Sequence, residues 1–408
     1  MTICYILFLN HSTLSFNVGV DYAGLAPMEN DQLPLFNGNV TDEDSEIVSF
    51  MALSKIRGVG LRSLRILFEG FEQLSSIWEI PEDKLLLTLR KYNLPRPSSI
   101  VDEIKTNKKE LVQAAKIQLA AFNKRNISIV LRSDPRFPNR LNEIPNPPYW
   151  LFIEGNVGLL SQPNLIAVVG TRNPSALGIC YAKKVTALLA KNGFCIVSGL
   201  AEGIDATVHR TALDFGAPCV AVLGTGISII FPRTTADLRQ GIVESGGALV
   251  TEYLPYESYQ KARFVQRNRI QAALSYAVIP VEWNEKGGTA HTVRFAEQYG
   301  RIVITIVENH PVAKTLVEKN DRRFSITLES PLAESDLVNL LLGEQPNTYY
   351  SRRQVTGNLG AFSGLLTNFM RIVREYPISE QEYEGLRSAM QEKWQEISRR
   401  HGSKGIDS

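Results

Sequence analysis

No run of this chain approaches the roughly 20 apolar residues that a bilayer crossing requires, and the sequence offers no transmembrane helix. The opening nine residues, M-T-I-C-Y-I-L-F-L, are apolar but lack a positively charged start and are cut short by Asn10 and His11. They read as a disordered or adventitious leader rather than a signal peptide, with Met28 and Met51 as alternative starts. The expected compartment is the cytoplasm. Cysteine is scarce as well: the four, Cys4, Cys180, Cys195 and Cys219, show no C-x-x-C spacing. That pattern argues against a metal site or a disulfide framework and for reduced, buried thiols. An excess of one charge is also missing, because 44 basic side chains face 42 acidic ones for a formal net charge of +2. Any affinity for nucleic acid must therefore come from a local patch, not from the field of the whole molecule.

At 408 residues, 44% hydrophobic and 21% charged, the chain has a globular composition and is too long for a single core. Residues 1–45 end in a polar, acidic stretch and are expected to form a tail. Residues 46–126 are expected to form a small helical domain. Within it Gly58-Val59-Gly60 separates two amphipathic stretches. This fits a helix–hairpin–helix turn, whose backbone N–H groups meet a DNA phosphate, or an ordinary turn in a helical bundle. A β-like run at 127–131 leads into D-P-R-F-P-N-R-L-N-E-I-P-N-P-P-Y-W-L-F-I-E-G, where the proline density predicts an extended connector without a helix. Six further strand candidates follow, at 165–169, 194–197, 219–223, 248–251, 277–281 and 302–306, most of them separated by helical patterns. The alternation predicts an α/β fold, a doubly wound parallel sheet, over 127–310. The run 220–223 is apolar without alternation, as suits a strand covered on both faces. Residues 311–408 are expected to be mostly helical, ending in a charged amphipathic helix around Trp394.

The first two of these strands run into glycine and small hydroxyl residues and then into a helix. Such a turn leaves backbone N–H groups and a helix N-terminus for an anion. The first turn contains Gly170, Thr171 and Arg172. It is not a dinucleotide fingerprint, since an arginine stands where G-x-G-x-x-G needs glycine. An arginine there suits a bidentate grip on a phosphodiester. Neither turn carries G-K-[ST], which disfavours a nucleotide hydrolase. The second turn offers Ser198, Gly199 and Gly203 and leads to Asp205 and His209. Spaced i and i+4, these two are expected to form a structural hydrogen-bonded pair, a catalytic dyad being the alternative. A third turn contains Thr225. Arg263, Arg267, Asn268 and Arg269 then form a basic cluster with an aromatic inside it, read as phosphate-binding with Arg263 and Arg267 on one helix face. Gly288 and Thr289 open another helix. Several such turns on one sheet edge fit an extended nucleic-acid strand better than a single mononucleotide.

With these blocks in place, the chain resembles the DNA-processing protein A (DprA, or Smf) family over about residues 49–306. The resemblance rests on I-A-V-V-G-T-R, S-G-L-A-E-G-I-D-A-T-V-H, G-T-G-I-S-I-I-F-P, G-G-A-L-V-T-E-Y-L-P, F-V-Q-R-N-R-I-Q-A-A-L-S and G-G-T-A-H-T-V-R-F-A-E-Q-Y-G-R, in that order. It implies an extended Rossmann domain that binds single-stranded DNA without sequence preference, helps load a RecA-type recombinase during natural transformation, and self-associates as a homodimer. Arg172 matches the family's DNA-contacting arginine, Ser198 and Gly199 its anion-holding turn, and Arg267 with Arg269 its basic pair. No catalytic reaction, cofactor or metal is implied. Thr171 replaces the usual serine, and Gly287-Gly288-Thr289 replaces S-G-S. After the last strand I-V-E-N-H-P-V-A-K-T-L departs from the family pattern, and no winged-helix ending is recognisable. That divergent tail would also suit a relative serving in phage defence. Two rival readings are a nucleoside-monophosphate phosphoribohydrolase, whose P-G-G-x-G-T-x-x-E pattern is incomplete here, and an assembly module without a working DNA site.

Overall fold

The computed structural model describes residues 42–306 and, beyond them, the short stretches 323–326, 337–339 and 341–342. The expected leader, Cys4 and the C-terminal helices lie outside the described residues.

Five helices lead the described chain: α1 (Asp42–Leu53), α2 (Leu61–Gly70), α3 (Glu82–Lys91), α4 (Pro97–Thr106) and α5 (Lys108–Lys124). Their ends follow elementary rules. Helix α3 has Glu82 and Asp83 in its first turn and Arg90 and Lys91 in its last, each sign facing the opposite pole of the helix dipole. Helix α4 starts with Pro97, where a missing N–H costs nothing. Between α1 and α2 the chain reverses through Gly58, whose φ of +93° favours glycine, while Val59 turns inward. Gly60 ends the turn as the uncapped residue before α2.

The rest of the described chain builds one nine-stranded sheet. Strand β1 (Ile127–Leu131) precedes a short helix, α6 (Asn139–Asn142), and β2 (Trp150–Gly155). The proline-rich passage therefore contains both a helical turn and a strand, contrary to the connector expected there. Pro138 stands immediately before the first turn of α6, where proline is tolerated, and the last prolines precede the apolar run W-L-F-I. The alternation then proceeds through β3 (Leu165–Val169), α7 (Ala176–Lys191), β4 (Cys195–Ser198), α8 (Ile204–Asp214), β5 (Cys219–Val222), α9 (Ala236–Glu244), β6 (Ala248–Thr251), α10 (Lys261–Leu274), β7 (Ala277–Pro280), α11 (Gly288–Gln298), β8 (Ile302–Ile306) and β9 (Arg323–Ile326).

The strand order is β1-β2-β6-β5-β4-β3-β7-β8-β9. From β6 to β9 all neighbours are parallel, and β2 joins β6 antiparallel. The order reverses at β3. Strands β4, β5 and β6 step away on one side, whereas β7 returns to pair with β3 on the other. All five β3 residues are buried, and they split by alternation: Ile166 and Val168 join one core, Leu165, Ala167 and Val169 the other. The first core contains the apolar faces of α7, α8 and α9, and the second those of α10 and α11. This is the doubly wound arrangement that the alternation predicted.

The helical region shares the first core. Phe50 packs 4.9 Å from Trp150 of β2, and Phe122 meets Phe152 edge-on. Polar ties reinforce the join: Arg65 pairs with Glu252 at 2.8 Å, and the Tyr149 hydroxyl donates to Glu69 at 2.6 Å. Cys195 and Cys219 are buried as expected, but Cys180 is exposed on α7. Its place on the helix points it away from the sheet-facing residues Tyr181, Ala182 and Val185. Among the described residues no helix is long and apolar enough to cross a membrane, and none of the His, Cys, Asp and Glu side chains cluster as a metal site would require.

Candidate nucleic-acid interface

In an open α/β sheet, ligands gather outside the carboxyl ends of the strands where the strand order reverses. Here that point lies between β3 and β7, and a cleft of about 350 Å³ opens there. Its charged lining residues are Arg172, Lys261, Arg267 and Asp205, three cations against one carboxylate.

The turn after β3 is held from within. Thr171 N donates to the Glu282 carbonyl at 2.7 Å, and Asn173 N donates to Thr171 Oγ1 at 3.2 Å. Ser175 caps α7, accepting from Gly178 N at 3.0 Å, while its own N–H and hydroxyl donate to the Glu282 carboxylate, both at 3.0 Å. An internal carboxylate therefore occupies the positive pole of α7. Two of the turn's amides, those of Thr171 and Ser175, are thus spent on Glu282. At the opposite lip, α11 starts at Gly288 with no side-chain cap, and Gly287, Gly288 and Thr289 line the cleft. Asn268 Nδ2 donates to the Gly288 carbonyl at 3.1 Å and fixes this lip to α10.

Arg267 rises from α10 to the cleft floor and is 4% exposed. Its Nη2 donates to the Gly199 carbonyl at 3.2 Å and lies 4.0 Å from Asp205, while Nε and Nη1 have no protein partner. Burial brings its pKa down to about 10, which leaves it cationic at neutral pH. Burial raises the Asp205 pKa, and the Arg267 charge opposes that rise. Arg172 is exposed, with its guanidinium 5.4 Å from the centre of the Phe264 ring. Buried guanidinium donors without partners are costly unless something outside the chain completes them. An anion in the cleft would do so.

The cleft gathers Gly170, Thr171, Arg172, Arg267, Asn268, Gly288 and Thr289 from the residues singled out in the sequence. The others serve the scaffold. Ser198 is fully buried and donates to the Val168 carbonyl at 2.7 Å. Gly199 lacks a side chain because the Arg267 guanidinium packs over it, and Gly203 lies against the carbonyls of Thr171 and Arg172 at φ +81°. Thr225 is 1% exposed, and its carbonyl accepts from Thr251. Arg263 pairs with Glu257 at 2.8 Å and faces a different cleft, beside Gly58 and Gly60. Arg269 is buried in an ion pair with Glu252 at 2.5 Å. Nor do Asp205 and His209 form the expected pair: both His209 ring nitrogens are buried without a partner, and burial drives its pKa down to about 3. Lys261, Tyr259 and Trp283 also line the cleft but were not singled out, and Phe264 was noted only as the aromatic inside the basic cluster. A lysine and an aromatic spaced i and i+3, just ahead of R-N-R, were the available signal.

Residues 128–320 match the family model described as DNA recombination-mediator protein A. The Smf protein of Synechocystis is 31% identical over 274 residues, 64% of this chain and 65% of that protein. Over these residues the chain is similar to the DNA recombination-mediator protein A family. The DNA processing protein DprA of Bacillus subtilis is 35% identical over 188 residues, 46% of this chain and 63% of that protein. The matches thus span somewhat under two thirds of the length of these curated relatives. Among solved structures, DNA processing protein A of Streptococcus pneumoniae superposes with a TM-score of 0.52 at 27% identity, covering 71% of this chain and 96% of that one. The family's Rossmann-like α/β architecture is therefore the one seen here.

Proposed function

We propose that the cleft between β3 and β7 grips the sugar–phosphate backbone of single-stranded DNA without regard to sequence. The observation that carries the reading is the buried Arg267, whose Nε and Nη1 lie unpartnered on the cleft floor. Arg172 and Lys261 flank it, and the uncapped start of α11 adds a positive pole. Guanidinium groups and backbone amides read phosphates and carry no base information, and an unpaired strand also has ring faces that can meet the cleft's aromatics. Similarity to that family supports a DNA-processing, recombination-mediator role. The finer part of the proposal is that the protein, as a cytoplasmic homodimer, hands incoming strands to a RecA-type recombinase in DNA uptake. No reaction and no cofactor form part of it.

Fluorescence anisotropy of labelled single- and double-stranded oligonucleotides across a salt series tests the binding. The expected result is preference for the single strand, with log affinity falling linearly against log salt at about −0.7 per phosphate neutralised. Equal affinity for duplex and single strand would overturn the reading.

A further inference from the structure

The cleft does not end at its cationic floor. On one side it continues into three aromatic rings from three segments. Phe231 and Tyr259 lie 4.7 Å apart, Tyr259 and Phe264 5.0 Å, and Phe231 and Phe264 5.6 Å. Phe264 is 8% exposed and lines the cleft, but Tyr259 is 42% exposed and Phe231 37%. Folding alone does not account for two large rings turned to water on a well-packed rim.

The rim is also built to stay in place. The loop carrying Phe231 is clamped from below by Arg239, which donates to the Ile229 carbonyl at 2.9 Å, to the Ile227 carbonyl, and to Glu154 at 2.8 Å. Ser228 N donates to the Pro255 carbonyl at 2.9 Å, which ties this loop to the segment leading to Tyr259. The backbone leading to Phe231 is therefore tied to its surroundings just ahead of the ring.

We infer that Phe231 and Tyr259 form a stacking shelf for the bases of the strand whose phosphates occupy the cleft. The inference rests on the single-strand reading above and adds where the bases go. Charge alone would treat a bare sugar–phosphate chain and an oligonucleotide alike, whereas rings on the rim reward the ligand that carries bases. Stacking is indifferent to base identity, since every base has a ring face. The shelf thus supplies affinity for unpaired DNA without adding sequence preference, and it disfavours duplex, whose ring faces are already stacked.

The test compares oligo-dT with an abasic oligonucleotide of the same length and charge, by anisotropy at fixed salt. Wild type is expected to prefer oligo-dT by about tenfold or more, in line with the stacking cost of one aromatic. Phe231→Ala combined with Tyr259→Ala is expected to remove that preference while leaving the salt slope unchanged. Tyr259→Phe, which keeps the ring, is expected to retain it, and circular dichroism melting confirms that each variant is folded. A preference that survives in the folded double variant overturns the shelf. Equal binding of both ligands by wild type also overturns it, yet leaves the cleft reading intact. Binding of neither ligand overturns both.

Discussion

Helix α10 has two sides, and each carries a buried arginine to a different end. On one side Arg267 reaches the cleft floor with two guanidinium nitrogens unpartnered and its nearest carboxylate at 4.0 Å. On the other, Arg269 meets Glu252 at 2.5 Å, and Glu252 also receives Arg65 from the helical region. Both are 4% exposed. The difference lies in what surrounds the charge: one cation is consumed by the fold, while the other is held available. Arg269 also leaves one nitrogen, Nη1, without a partner, so the contrast lies in the carboxylate: direct contact neutralises the charge of Arg269, whereas the charge of Arg267 is left for an anion to complete.

Breaking the structural arginine gives the largest expected effect. Arg269→Ala leaves the buried Glu252 carboxylate with Arg65 alone, for which a loss of about 3 kcal/mol is expected, seen as a Tm drop on the order of 10 °C. The folded fraction should still bind oligo-dT as wild type does. Arg267→Gln inverts that pattern. It is expected to weaken oligo-dT binding by roughly ten- to a hundredfold, the worth of charge-assisted hydrogen bonds, with a smaller change in Tm than Arg269→Ala produces. A reversed outcome in this pair would break the contrast between the two sides.

Arg172→Ala sharpens it. This cation is exposed, so a loss of about fivefold is expected, with the salt slope shallower by about 0.7. His209 gives the smallest effect at neutral pH. Its folded pKa of about 3 lies below the unfolded value near 6.5. Below pH 6.5 the unfolded chain takes up a proton that the folded one refuses, so stability present above that pH is lost progressively down to about pH 3. His209→Leu should flatten this part of a chemical-denaturation pH profile while leaving stability at pH 7.5 almost unchanged.

The sheet was legible because its strands are short apolar runs separated by helices, and the run 220–223 needs no alternation to be read as covered on both faces, as the burial of all of β5 bears out. Strand β2 was hidden by the prolines before it, which say nothing about W-L-F-I-E-G once Pro148 is passed. The site was legible in part. Arg267 and Arg269 look like a pair in the sequence, but positions i and i+2 on a helix point nearly opposite ways. Arg263 shares the side of Arg267 by spacing, yet the chain reaching α10 supplies Glu257 to neutralise it. The turn after β3 looked open because its partner, Glu282, lies more than a hundred residues away. Pairings of that range are set by the strand order, which local pattern does not reveal. Phe231 and Tyr259 converge for the same reason.

The most direct test is a salt titration of oligo-dT binding to wild type and Arg267→Gln, with Arg269→Ala measured below its melting point. Steep salt dependence in wild type, reduced affinity in Arg267→Gln and unchanged affinity in Arg269→Ala are the predicted results. Full affinity in a folded Arg267→Gln protein would contradict the assignment of the β3–β7 cleft as the place where DNA is held.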